Sequence, residues 1–135
     1  MRDYRKIDAW KLADDLTVAV YQLPRAFPRE ELYGMASQLR RAACSVPANI
    51  AEGSARESQK EYLHFLYIAR GSLSEVQYFV HLAHRLGYVN DAVPADFEGQ
   101  TRKTFGCLHG LIRAVEKEAG RFPVAGAARV QDCTT

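Results

Sequence analysis

Between residues 62 and 83 the apolar side chains Tyr62, Leu66, Ala69, Leu73, Val76, Val80 and Ala83 recur at alternating steps of four and three without a miss. That spacing keeps one stripe of an α-helix apolar and alternates with no face of a strand. Ser58-Gln59-Lys60-Glu61 has the spacing of a capping box just ahead of it, in which hydroxyl and carboxylate satisfy two otherwise unpaired N–H groups. Leu86-Gly87-Tyr88 offers the stop. A helix of this extent is roughly 40 Å long, at a rise of about 1.5 Å per residue. Its stripe needs cover along its whole length, so the other segments must be comparably long helices.

The same alternation occurs elsewhere. Asp8 is placed to cap a first helix with seam Ala9, Ala13, Leu16, Val20 and Leu23, ended by Pro24, which removes a backbone donor and clashes with the preceding turn. A second helix is expected from Arg29, where Glu30 and Glu31 suit the positive end of the helix dipole. Its seam is Leu32, Met35, Leu39, Ala42, Val46 and Asn49, with a kink expected near Ser45 and Val46 because of Pro47, and a stop at Gly53. A fourth helix follows Asn90-Asp91, with Pro94 in its first turn, seam Phe97, Thr101, Phe105, Leu108, Ile112, Val115 and Ala119, and Gly120 as terminator. Gly106 and Gly110 inside it suggest close backbone approach to a neighbour. The expected fold is therefore all-α, an antiparallel up-and-down left-handed four-helix bundle over residues 1–120. Residues 121–135, without periodicity, are expected to form a disordered tail.

A chain of 135 residues, 47% hydrophobic and 25% charged, suits one globular domain with one core. No apolar signal core follows Met1 and no stretch is apolar enough to span a bilayer, so a cytoplasmic protein without membrane contact is expected. Cys44, Cys107 and Cys133 form no tight pair, which in that compartment fits reduced thiols. Cys107 and His109 lack the paired spacing of a zinc site, so no metal and no cofactor is expected. A net charge of +2 is too small to announce nucleic-acid binding by itself.

More apolar surface is present than one bundle uses. Phe65, Ile68, Phe79, Leu82 and Leu86 form a second stripe on the third helix, interrupted by Ser72 and Glu75, while Ser37, Cys44, Ala48 and Ala51 form a row of small residues on the second. Either these helices are central in the monomer or their spare faces pack on another subunit.

The run from Gln38 to Gly53, QLRRAACSVPANIAEG, closely resembles the signature of the four-helix-bundle proteins named after intervening sequences of bacterial large-subunit ribosomal RNA genes. Trp10, the segment from Tyr21 to Phe27-Pro28, Tyr33-Gly34-Met35, Ala69-Arg70-Gly71-Ser72 with Glu75, and Leu86-Gly87-Tyr88 fit the same pattern, so the resemblance covers roughly residues 5 to 118. It implies a left-handed bundle, a ring-shaped homo-oligomer of five subunits, a role in nucleic-acid binding and no known catalysis. Relatives also include accessory proteins of diversity-generating retroelements, which look like basic rings that bind reverse transcriptase and nucleic acid. This weakly basic chain departs from them in charge.

Opposite the seam of the third helix lie Tyr67, Arg70, Gln77, Tyr78, His81 and Arg85. Cations that neutralise phosphate, interleaved with rings that stack on unpaired bases, make a sequence-tolerant nucleic-acid site, although a solvated helix face exposes such residues routinely. Arg40 and Arg41, with Arg2, Arg5 and Lys6, are further candidate phosphate contacts. Arg41, Ser45, Asn49 and Glu52 line one flank of the second helix, where Ser72 and Glu75 could face them; such rows more often fix register or subunit contacts than perform chemistry. Glu61-Tyr-Leu-His64 matches half of a di-iron helix motif, but no second copy exists, and the residues around His64, His81 and His84 do not suit phosphotransfer. No catalytic residues are expected. The reading is an oligomeric scaffold with RNA, DNA or a nucleic-acid-associated protein as partner, against a protein assembly module without nucleic acid and, further off, a metal-dependent bundle enzyme.

Overall fold

The computed structural model describes residues 2–120, so the expected tail lies outside the described residues. Four helices carry the fold: α1 (Asp8–Gln22), α2 (Met35–Ser54), α3 (Gln59–Arg85) and α4 (Ala92–Glu118), with short 3-10 turns at Tyr4–Lys6, Leu23–Ala26 and Arg29–Glu31 and no strand among the described residues. α1 packs on α2 and α4, and α3 packs on the same two helices. Cross-helix contacts fix the directions. Thr17 meets Ala43 while Tyr21 meets Arg40, Ser45 meets Ser72 while Gly53 meets Tyr62 and Phe65, and Gln59 meets Glu118 while His84 meets Asp91 just before α4, so sequence-adjacent helices run antiparallel. None of the helices among the described residues is long and apolar enough to cross a membrane.

The core follows the periodic stripes. All seven seam residues of α3 are buried, as are Ala9, Ala13, Leu16 and Val20 of α1 and Phe97, Thr101, Leu108, Ile112 and Val115 of α4. A smaller cluster of Met35, Ala83 and Val89 closes one end, with Phe79 and Leu82 from the expected surplus stripe packed against it. The surplus is thus partly absorbed within the monomer. Ile68 and Leu86 remain exposed, as do Cys44 and Ala48 on the outer row of α2.

The boundaries bring several corrections. Asp8 is the first residue of α1 rather than its cap; Ile7 stands at the cap. α2 starts six residues later than expected, because Arg29–Glu31 forms only a 3-10 turn and Gly34, at φ −102° and ψ −110°, leaves helical geometry. Glu31 instead accepts a hydrogen bond from the Tyr88 hydroxyl at 2.9 Å, tying this segment to the α3–α4 turn and raising the Tyr88 pKa. Leu32, expected in the seam, is exposed. Ser58 does cap α3, accepting from the Glu61 N–H at 3.3 Å. Gly87 (φ 76°) and Gly120 (φ 74°) adopt the left-handed conformation expected of helix terminators. Cys44 is a free, exposed thiol.

α2 runs unbroken through Pro47. Proline has no N–H, so the carbonyl of Ala43 loses its helical partner. The Thr17 hydroxyl of α1 lies 3.0 Å from that oxygen and 2.8 Å from the Ala13 oxygen, placing a donor where the helix lacks one.

Candidate nucleic-acid interface

α3 carries a single carboxylate between Tyr62 and Arg85, and that residue, Glu75, is turned toward α2. Its outward stripe therefore holds cations, rings and neutral polar groups only. Arg70, Gln77, Tyr78, His81 and Arg85 are all exposed on it. Tyr78 is 56% exposed, with the His81 ring 6.3 Å away. Tyr67 stands differently: it is half-buried, its hydroxyl donates to Glu116 of α4 at 2.7 Å, and Arg70 lies 5.1 Å from its ring. Its ring is held as a floor under Arg70.

The other expected cations are dispersed by geometry. Arg40 and Arg41 are neighbours in sequence but about 100° apart around a helix with 3.6 residues per turn. Arg40 turns to α1, where its guanidinium donates to the Tyr21 carbonyl at 2.8 Å and lies 5.4 Å from the Tyr21 ring. Arg41 turns to α3. Arg2 is engaged by the carbonyl of Arg56 and the Gln59 side chain, both at 2.8 Å, and covers the Tyr62 ring at 4.4 Å. Arg5 is paired with Asp3 at 3.0 Å, which holds that carboxyl below its usual range. Lys6 is exposed.

Between α2 and α3 lies an open groove of about 390 Å³, lined by Tyr33, Ser37, Gln38, Arg41, Ala42, Ser45, Ser72 and Glu75. Arg41, Ser45, Ser72 and Glu75, expected to face one another, do meet here. The Asn49 amide, one turn on from Ser45, donates to the Ser45 carbonyl at 2.7 Å and to its hydroxyl at 2.9 Å, and within the lining the Ser45 and Ser72 hydroxyls share a hydrogen bond of 2.8 Å. One hydrogen serves that bond; the second hydroxyl hydrogen of the pair has no acceptor among the described residues. Arg41 and Glu75 form no ion pair among the described residues. Tyr33 stands at the rim, 92% exposed. Tyr33 entered the sequence analysis only as part of the family pattern, since exposure of this kind shows only in the folded chain.

Glu52 departs from the expected row and pairs with Arg56 at 2.7 Å. Gly53 does not end α2, which continues to Ser54; a Cβ there would lie 2.9 Å from both Phe65 Cβ and Tyr62 Cδ1, so the glycine lets α3 approach. Glu61 and His64 border an open surface cleft with Arg56, Lys60, Phe65 and Tyr67. Among the described residues no group of three or more His, Cys, Asp or Glu side chains is placed to hold a metal.

None of the curated proteins compared matches the chain. The family model described as 23S rRNA-intervening sequence protein matches residues 5–110, a span that includes α1, α2, α3 and most of α4 together with the Gln38–Gly53 signature. The chain belongs to the 23S rRNA-intervening sequence protein family.

Proposed function

We propose that the protein is a non-catalytic scaffold that self-associates, as a ring of five, and engages RNA through the outer face of α3. The observation that carries the reading is the carboxylate-free stripe from Arg70 to Arg85, in which Arg70, His81 and Arg85 alternate with the exposed ring of Tyr78. Cations neutralise phosphate and the ring gives an unpaired base a stacking platform. Membership of the family agrees with an RNA-related role. Self-association is supported by Ile68, Leu86, Cys44 and Ala48, which leave apolar surface of α2 and α3 open. The cytoplasm is the compartment this reading assigns; an oxidised Cys107 trapped in intact cells would contradict it.

The test is titration with labelled single-stranded RNA across a salt series. For single strands log K falls with log salt by about 0.7 per phosphate contact. The double variant Arg70→Gln/Arg85→Gln should therefore weaken binding and reduce the slope by roughly 1.4. Absence of binding, or binding indifferent to salt, favours an assembly module without nucleic acid. Light scattering during gel filtration tests the ring, and a monomer at micromolar concentration removes it.

A further inference from the structure

The α2–α3 groove sets three different recognition elements around one volume. Arg41 supplies a guanidinium and Glu75 a carboxylate, neither engaged by the other, and Tyr33 supplies a ring open to solvent. The floor adds Ser72, only 7% exposed, whose hydrogen bond with Ser45 leaves one hydroxyl hydrogen of that pair to spend. Gln38 adds an amide. At about 390 Å³ the groove lies in the size range of small-ligand sites.

Each element limits what fits. An ionised carboxylate only accepts hydrogen bonds, so Glu75 asks for adjacent donors. Among the nucleobases guanine alone presents two neighbouring donors, N1–H and N2–H₂, on its Watson–Crick edge. Adenine and cytosine place an acceptor beside their amino group, and uracil flanks one N–H with two carbonyls. Guanine O6 is an acceptor, which suits the spare hydroxyl hydrogen and the Gln38 amide. A phosphate suits the Arg41 guanidinium, and a base plane suits the Tyr33 ring. We propose that the groove between α2 and α3 is a binding site for a guanine nucleotide, with Glu75 reading the base, Tyr33 stacking on it and Arg41 holding the phosphate. This extends the nucleic-acid reading but stands on residues separate from the α3 stripe.

Calorimetric titration of the full-length protein with GMP, AMP, CMP and UMP, and with inorganic phosphate as control, tests it. GMP should bind roughly tenfold tighter than the other three, the discrimination one bidentate base contact supplies. Glu75→Gln should erase that preference, while Arg41→Gln should weaken all four nucleotides alike. Unchanged helical circular dichroism and thermal midpoint would show that the exposed substitutions left the fold intact. Pentanucleotides UUGUU and UUAUU separate the two sources of the ligand: a preference for UUGUU places the guanosine in RNA, and a preference confined to GMP makes it free nucleotide. Four mononucleotides bound within twofold of one another, phosphate bound as tightly as GMP, or no binding at millimolar ligand overturns the proposal. RNA affinity that still depends on Arg70 and Arg85 would then remain, so failure of the groove is distinguishable from failure of the α3 face.

Discussion

The two flanks of α2 solve opposite problems with similar residues. Toward α1, Thr17 offers its hydroxyl to the carbonyl orphaned by Pro47, and Arg40 donates to the Tyr21 carbonyl near the negative end of α1. Toward α3, the flank is closed at Gly53, where the helices touch, but opens from Ser45 to Tyr33 into a groove where Arg41 and Glu75 meet no opposite charge. A bundle held together by both flanks needs only the first kind. Polar groups on one side complete the fold, and on the other they are left for something else to complete.

Breaking the closed part of the α3 flank should have the largest effect. Gly53→Val would drive its side chain into Phe65 Cβ and the Tyr62 ring and crowd the Tyr62 carbonyl oxygen, and the first and last of these cannot swing aside because they are fixed to the backbone of α3. Overpacking of this kind costs about 3 kcal/mol. Urea denaturation should show the midpoint falling accordingly, and an unchanged midpoint would mean that the contact is loose in solution.

Tyr62 tests the dryness of the same contact. Burial pushes its hydroxyl up to about 12, and the hydroxyl has no hydrogen-bond partner among the described residues. Because the folded state holds this proton more tightly than the unfolded chain, the contribution is complete below pH 10 and is lost as pH rises toward 12. The loss should reach roughly 2–3 kcal/mol. Denaturation midpoints followed from pH 8 to the alkaline limit should bend downward in the parent and stay flatter in Tyr62→Phe; equal curves would place water on the hydroxyl.

Thr17→Val sharpens the comparison from the other side. The substitution keeps the shape and removes the hydroxyl beside the Ala43 carbonyl, leaving it without a donor. A loss of about 1–2 kcal/mol is expected, the usual cost of an unsatisfied buried acceptor. Restoring a donor by Pro47→Ala in the same chain should recover part of it.

How much of this was legible beforehand follows from which interactions are local. The seams of α1, α3 and α4 were readable because burial repeats with the helix period, and Ser58 and Gly87 because caps act within one turn. The start of α2 was not, since Gly34 and the Tyr88–Glu31 hydrogen bond oppose a favourable dipole pattern at Glu30 and Glu31. Within the site, the sequence brought Arg41, Ser45, Ser72 and Glu75 to one flank correctly because helix positions fix angles. The divergent fates of Arg40 and Arg41, the anchoring of Tyr67 by Glu116 and the closeness required at Gly53 depend on which helix lies opposite, which no single stripe reveals.

The smallest effect is the most direct comparison. Arg40→Ala removes the donor to Tyr21 O and the stacking on its ring, and about 1 kcal/mol of stability should go with it. Arg41→Ala, one residue on, removes a side chain with no hydrogen-bond or ion-pair partner among the described residues, and should move stability by less than about 0.5 kcal/mol. Paired urea melts of the two variants decide the matter. If Arg41→Ala destabilises as much as Arg40→Ala at protein concentrations where the chain is monomeric, the groove is part of the fold. If the cost of Arg41→Ala appears only as concentration rises, a second copy occupies the groove. Indifference at every concentration leaves the guanidinium free for a ligand, the condition on which guanine recognition between α2 and α3 depends.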